Sequence, residues 1–195
     1  DLPTLSEPTL LVHLTGWIDA SGAAAAALAA VDRACGGTDL VAEFDSDTFV
    51  DYRARRPTME IRNGVNTRLV WNELQLRRGR TPGGRDVVLL TGPEPDMWWR
   101  AFATDMKDLT AQLGCTAAVC FGAYPFASPH TRPSHMSCTS PSAELIAGLP
   151  YDKGNVDVPA GMCSVLEHEL TEAGIPTVGL WARVPHYVAT MPYPA

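Results

Sequence analysis

Seven residues of this chain combine a reactive side chain with a position just beyond an apolar run: Asp45, Arg55, Arg56, Asp96, His130, Arg132 and His186. Histidine titrates near neutral pH, so His130 and His186 could act as acid, base or metal ligand. Arginines such as Arg55, Arg56 and Arg132 present a planar fork that clamps a carboxylate or phosphate through paired hydrogen bonds. If the loops carrying these groups leave one edge of a parallel sheet, they share a crevice suited to a small anionic ligand. Each residue also has a plainer use. Carboxylates cap helices, arginines tie loops together, and histidines satisfy backbone carbonyls.

The residues complete no known reaction set. There is no G-x-S-x-G turn to present a nucleophile and no H-E-x-x-H zinc pair. Neither a G-x-x-x-x-G-K-[ST] loop nor a G-x-G-x-x-G turn is present to cradle phosphate, so no nucleotide cofactor is expected. Asp45, Asp47 and Asp51 carry part of a calcium-loop pattern but lack its glycine and closing glutamate. Glu167-His168-Glu169 sits on a predicted helix, where adjacent residues point to different faces. No metal is therefore expected. With the catalytic residues unassigned, a non-enzymatic protein is favoured over an enzyme.

The elements that would position these residues follow from periodicity. Apolar runs at Thr9–Thr15, Leu40–Phe44, Asp86–Thr91, Ala117–Phe121 and Thr177–Arg183 predict buried strands, about five in the core. Helices are predicted over Gly22–Cys35, with Asp19 or Ser21 as cap, and over Met97–Leu113, capped by Asp96, with Trp98, Phe102, Met106 and Leu109 inward. Further helices are expected at Ser142–Ala147 and Met162–Ala173, and a short strand at Ser134–Thr139. The first strand–helix–strand unit implies a parallel pair. Thr58–Arg62 and Thr67–Trp71 alternate around Asn63-Gly64 and read as a β-hairpin, within an insertion spanning about 52–85. Arg77–Gly84 reads as a turn. Gly122–Pro133, with three prolines, His130 and Arg132, reads as a rigid open loop. The fold class is α/β: a three-layer α/β/α arrangement on a mainly parallel mixed sheet, one domain over residues 1–195.

Composition bounds the partners. Hydrophobic residues make 46% and charged residues 19% of the chain, which suits a globular core. No apolar run reaches the roughly 20 residues of a membrane span, and no secretion signal opens the chain. The five cysteines form no C-x-x-C pair and read as buried thiols in a reducing cytoplasm. A net charge of −7 argues against nucleic acid as partner. Residues 53–85 hold nine arginines against two glutamates, +7, which leaves −14 on the remainder. Such asymmetry suits an anion, or a contact between one subunit's basic face and another's acidic face.

Six short motifs carry a family resemblance: Gly16-Trp-Ile-Asp-Ala20, Asp51-Tyr-Arg-Ala-Arg-Arg-Pro57, Gly92-Pro-Glu-Pro-Asp96, Pro129-His-Thr-Arg-Pro133, Val158-Pro-Ala-Gly161 and Val184-Pro-His-Tyr187. In order and spacing they resemble the proteasome assembly chaperone family of the second-chaperone type, in its actinobacterial uncharacterised branch. The resemblance implies a phosphorylase/hydrolase-like fold and a cytoplasmic assembly-chaperone-like or scaffolding role with proteasome subunits as partners. It also implies homo-oligomers, trimers among them. Members of this branch usually continue into a C-terminal helical segment, which is not expected within a chain that reaches Met191-Pro-Tyr-Pro-Ala195. Some related sequences are described as ATP-dependent carboxylate–amine ligases. This chain offers no nucleotide loop for that chemistry, and its only lysines are Lys107 and Lys153.

Overall fold

The central strand of the fold is β1 (Thr9–Thr15), and its alternation explains the layers. Leu10, Val12 and Leu14 point to one face of the sheet and Leu11 and His13 to the other, all buried. In the computed structural model, which describes residues 2–192, the first face is covered by α3 (Trp99–Gln112) and α5 (Met162–Glu172). There Phe102, Met106, Leu166 and Leu170 lose all solvent contact, and Phe44 and Phe49 close around Phe102 at ring separations of 4.9 and 5.4 Å. Each such side chain contributes about 2–3 kcal/mol through burial. The opposite face carries α1 (Ala23–Ala34), whose Leu28 packs on Leu11, Val87 and Leu89. Asp1 and Tyr193–Ala195, part of the C-terminal stretch noted above, lie outside the described residues.

The remaining elements are β2 (Asp39–Glu43), the short α2 (Ser46–Phe49), β3 (Thr58–Arg62), β4 (Val65–Val70), β5 (Gln75–Arg80) and β6 (Asp86–Pro93). After α3 come β7 (Ala117–Phe126), β8 (Met136–Thr139), α4 (Ala143–Ala147) and, beyond α5, β9 (Thr177–Pro185). The main sheet has seven strands in the order β2-β5-β6-β1-β7-β9-β8. β6, β1, β7 and β9 run parallel, and the flanking β5, β2 and β8 pair antiparallel. β3 and β4 form a separate two-stranded sheet.

Several sequence expectations are corrected here. The core sheet has seven strands rather than about five, because the short strand Met136–Thr139 joins the sheet beside β9, and Gln75–Arg80 is a strand and not part of a turn. Its arginines hid it: Leu76 alone within it is buried, while Arg77 reaches across to the Thr38 carbonyl and hydroxyl at 2.5 and 3.0 Å. β1 and β2 are not neighbours, since the antiparallel β5 and then β6 lie between them. The projecting insertion therefore narrows to the hairpin over 58–70. β7 does not stop at Phe121; it continues to Phe126 in register with Pro185 of β9. Pro125 is tolerated because ladder pairing with β1 ends at Cys120, so one side of the strand needs no amide donor there.

Trp98 is the other correction. It was expected on the inner face of a helix capped by Asp96, but α3 starts at Trp99 and Trp98 adopts a left-handed backbone (φ 59°) that turns its ring outward, 66% exposed.

Candidate functional site

The loops leaving β6, β7 and β9 supply Asp96, His130, Arg132 and His186, the segment after β2 supplies Asp45, Arg55 and Arg56, and the structure sorts these residues into separate groups. The first is built around Arg55. Its Nε donates to both Asp96 carboxylate oxygens, at 3.0 and 3.1 Å, and its Nη1 donates to the Thr15 carbonyl at 3.3 Å. Asp96 also accepts the Asp51 backbone N–H at 2.9 Å. Gly16 (φ +115°) makes room, since a Cβ there would lie 1.9 Å from the Arg55 guanidinium. Glu94 is buried beside this group and accepts the Met162 backbone N–H at 2.5 Å. A carboxylate on the first turn of α5 compensates the helix's unpaired donors and its positive end.

This arrangement predicts coupling. Arg55→Ala is expected to cost about 2 kcal/mol, allowing for partial exposure of the pair. Because Arg55 and Asp96 share one network, the Arg55→Ala/Asp96→Ala double variant should cost less than the sum of the single changes, by about 1–2 kcal/mol. Urea unfolding of the four proteins checks it, and strict additivity would refute the pairing.

The second group centres on Tyr187, which follows β9. Its hydroxyl accepts the His130 backbone N–H at 2.7 Å and lies 2.8 Å from His130 Nδ1. The His186 ring meets the Tyr187 ring edge-on at 5.3 Å. Arg132 is exposed, its backbone N–H donating to the Pro129 carbonyl. Asp45 accepts from the Asp47 backbone N–H and from the Thr48 hydroxyl, which caps α2. Arg56 is exposed. Thus the structure brings Arg55 to Asp96 and both histidines to Tyr187. Two cavities, of about 570 and 820 Å³, are lined by none of the seven residues.

Some buried polar residues carry contacts that the sequence reading did not assign. Glu167 is 4% exposed in the middle of α5 and accepts the Thr139 hydroxyl at 3.1 Å, while Trp181 Nε1 donates to the same Thr139 oxygen at 3.0 Å. Gly179 gives the carboxyl its space, since a Cβ there would lie 2.3 Å from Glu167 Oε1. Burial pushes the Glu167 carboxyl up to about 7, against the Thr139 hydrogen bond. The available signal was its position: one residue after Leu166 and three before Leu170, on the inward stripe of α5. His13 lies 3.5 Å from Asp19, whose carboxylate accepts the Ala24 and Ala25 backbone N–H groups at 2.8 and 3.1 Å. Asp19 thereby occupies the α1 N-terminus, where an anion could otherwise bind. Burial raises the Cys115 thiol to about 11, and a hydrogen bond with Cys163 together with burial holds Cys120 well above its ordinary range. Both stay protonated and are weak nucleophiles. Among the described residues no group of three His, Cys, Asp or Glu side chains forms a metal set.

The family described as PAC2 family matches residues 13–195. No curated protein matches the chain. Solved structures do. A PAC2 family protein from Streptomyces avermitilis is 34% identical, with TM-score 0.85, over 95% of this chain and 78% of that one. A proteasome-assembly chaperone homologue from Mycobacterium tuberculosis is 33% identical, with TM-score 0.86, over 94% and 78%. A protein of unknown function from Corynebacterium glutamicum is 31% identical, with TM-score 0.88, over 98% and 73%. PbaB from Pyrococcus furiosus, an archaeal proteasome activator, shares the fold at 16% identity and TM-score 0.70.

Proposed function

The chain belongs to the PAC2 family, and from that premise we propose that it is a proteasome-related, chaperone-like protein that works by presenting surfaces rather than by catalysis. Self-association as a homo-oligomer, trimers among the forms it takes, a scaffolding role, proteasome subunits as partners and a cytoplasmic location belong to this reading. Among the described residues no helix is long and apolar enough to cross a membrane.

The observation that carries the proposal is Trp98. It follows directly on the Arg55–Asp96 group, two-thirds exposed, on a backbone conformation that costs a bulky residue about 1–3 kcal/mol. Met97 and Trp17, 41% and 51% exposed, lie on the same strand-end edge. Exposed tryptophans are frequent anchors of protein interfaces. The polar groups behind them are engaged internally: Asp96 holds Arg55 and Glu94 holds the start of α5. A protein partner fits such an edge better than a small anion, which would have to compete with Asp96 for Arg55.

Trp98→Gly tests this reading. Glycine adopts positive φ without strain, so the variant should be as stable as the wild type or about 1 kcal/mol more stable. Its affinity for proteasome subunits should fall at least about 30-fold. Calorimetry with purified subunits and thermal unfolding give the two readouts. Absence of binding by the wild-type chain, or unchanged binding by the variant, defeats the proposal.

A further inference from the structure

We propose that the cavity between α1 and the sheet binds a free aromatic α-amino acid whose side chain ends in a hydroxyl, as tyrosine's does. The site is separate from the Trp98 edge and does not depend on the proteasome-related reading. α1 lies over β1 and β7. Along its flank, towards β6 and β5, a cavity of about 570 Å³ opens, an ordinary size for a small-ligand pocket. The sequence of α1 makes the space. Ala25, Leu28, Ala29 and Asp32 recur at three- and four-residue spacing, so one helix face walls the cavity, and its alanines leave room above the sheet. Leu28 and Leu89 supply the apolar lining that an aromatic ring needs.

One end of the cavity carries two opposite charges. Arg77 and Asp32 both line it, half-buried, and the Thr38 hydroxyl stands between them. That hydroxyl donates to Asp32 Oδ1 at 2.6 Å and accepts from Arg77 Nε at 3.0 Å. Arg77 Nη1 also donates to the Gln75 side chain at 3.3 Å and Nη2 to the Thr38 carbonyl at 2.5 Å, so each keeps one N–H to spare. Asp32 Oδ2 accepts no hydrogen bond from the described residues. A guanidinium and a carboxylate held apart by one hydroxyl, each with capacity left, match the carboxylate and ammonium of a single amino acid. A ligand with one charge fits worse, because an anion meets Asp32 and a cation meets Arg77.

The other end holds His13, 7% exposed, whose Nε2 is buried without a hydrogen bond. The Asp19 carboxylate lies 3.5 Å away and accepts from α1 through both oxygens. A ligand hydroxyl would satisfy this nitrogen. In the ladder Arg77 stands opposite Leu89, and His13 opposite Thr91, two residues further along β6. The two ends are therefore about 12 Å apart at the backbone, a span that tyrosine covers with a hydrogen bond at each end.

Ligand-observed NMR titration of the full chain with L-tyrosine tests the proposal. Tyramine and 3-(4-hydroxyphenyl)propanoate each keep one of the two charges and should bind at least about tenfold more weakly. L-phenylalanine, lacking the hydroxyl, should bind about fivefold more weakly. Asp32→Asn keeps an acceptor for Thr38 and removes the charge. It should weaken L-tyrosine about tenfold while 3-(4-hydroxyphenyl)propanoate binds no worse than to the wild type. Ala29→Leu suits a helix and fills the cavity, so it should abolish binding and leave the far-ultraviolet circular dichroism and thermal midpoint unchanged. No saturable L-tyrosine binding to the wild type up to about 2 mM overturns the proposal. Equal affinity for L-tyrosine and the two one-charge compounds overturns the paired-charge recognition. Unchanged L-tyrosine affinity in Asp32→Asn and Ala29→Leu places the binding elsewhere and overturns the site.

Discussion

Glu167→Gln is expected to stabilise the folded protein by up to about 3 kcal/mol at pH 8 and to change it little near pH 4. The wild-type carboxyl is pushed by burial from an ordinary 4.5 to about 7. The folded state therefore holds this proton more tightly than the unfolded chain does. Below pH 4.5 both states keep the proton and the group costs nothing. Between pH 4.5 and about 7 unfolding releases a proton, so stability falls as pH rises. Above that window the folded protein carries a buried carboxylate at full cost. Glutamine mimics the protonated acid, can still accept from Thr139, and removes the dependence. Urea unfolding of both proteins from pH 4 to 8 gives the difference directly, free of groups that titrate alike in each. A constant difference across the window would refute the assignment.

The second large effect is steric. Gly92→Ala should cost roughly 4 kcal/mol, in the range reserved for strain and overpacking. Gly92 ends the core part of β6 opposite Leu14 of β1, at φ +132°. A Cβ there would sit 2.3 Å from the Glu73 carbonyl oxygen and 2.8 Å from the Leu74 Cα. Both are backbone atoms, the second of them on fully buried Leu74, whose carbonyl the Phe44 N–H pins at 2.9 Å, so they cannot give way cheaply. The chain would shift instead, carrying Glu94 and Asp96 with it and loosening Arg55. Gly84→Ala separates the two contributions. Gly84 has φ +79° with nothing within 4 Å, so only the left-handed penalty of about 1–2 kcal/mol applies. Thermal or urea unfolding of both variants decides, and equal losses would remove the steric argument.

Burial patterns were legible to the extent that they are local. The strand over Thr9–Thr15, the helix over Met162–Glu172 and the inward positions Phe102 and Met106 all follow from residue periodicity. The cap was visible as Asp19 or Ser21, because a short acceptor before an alanine run has few other uses, and the structure gives it to Asp19. β5 was not legible. Its arginines look like a loop, and only a neighbour across the sheet shows that Arg77 is tied to Thr38. Trp98 was misplaced because spacing assigns a face and says nothing of where the helix begins. The motifs that carried the family resemblance include the residues that now meet: Gly16, Arg55 and Asp96 come from the first three of them.

By itself the sequence determined the α/β class, most of the core strands and helices, the segregation of charge and the positions of the strand-end residues, because each is written in a local pattern. Only the tertiary structure decided what those residues touch. Arg55 is an anion clamp by residue type; strand order and the Asp51 turn bring it to Asp96. His130 and His186 could have shared chemistry; the turn after β9 gives both to Tyr187. Glu167 could have been a solvated helix residue; packing on β9 buries it. A charged side chain reaches several ångströms and bonds whatever acceptor the fold brings near, and that acceptor is usually tens of residues away in the chain.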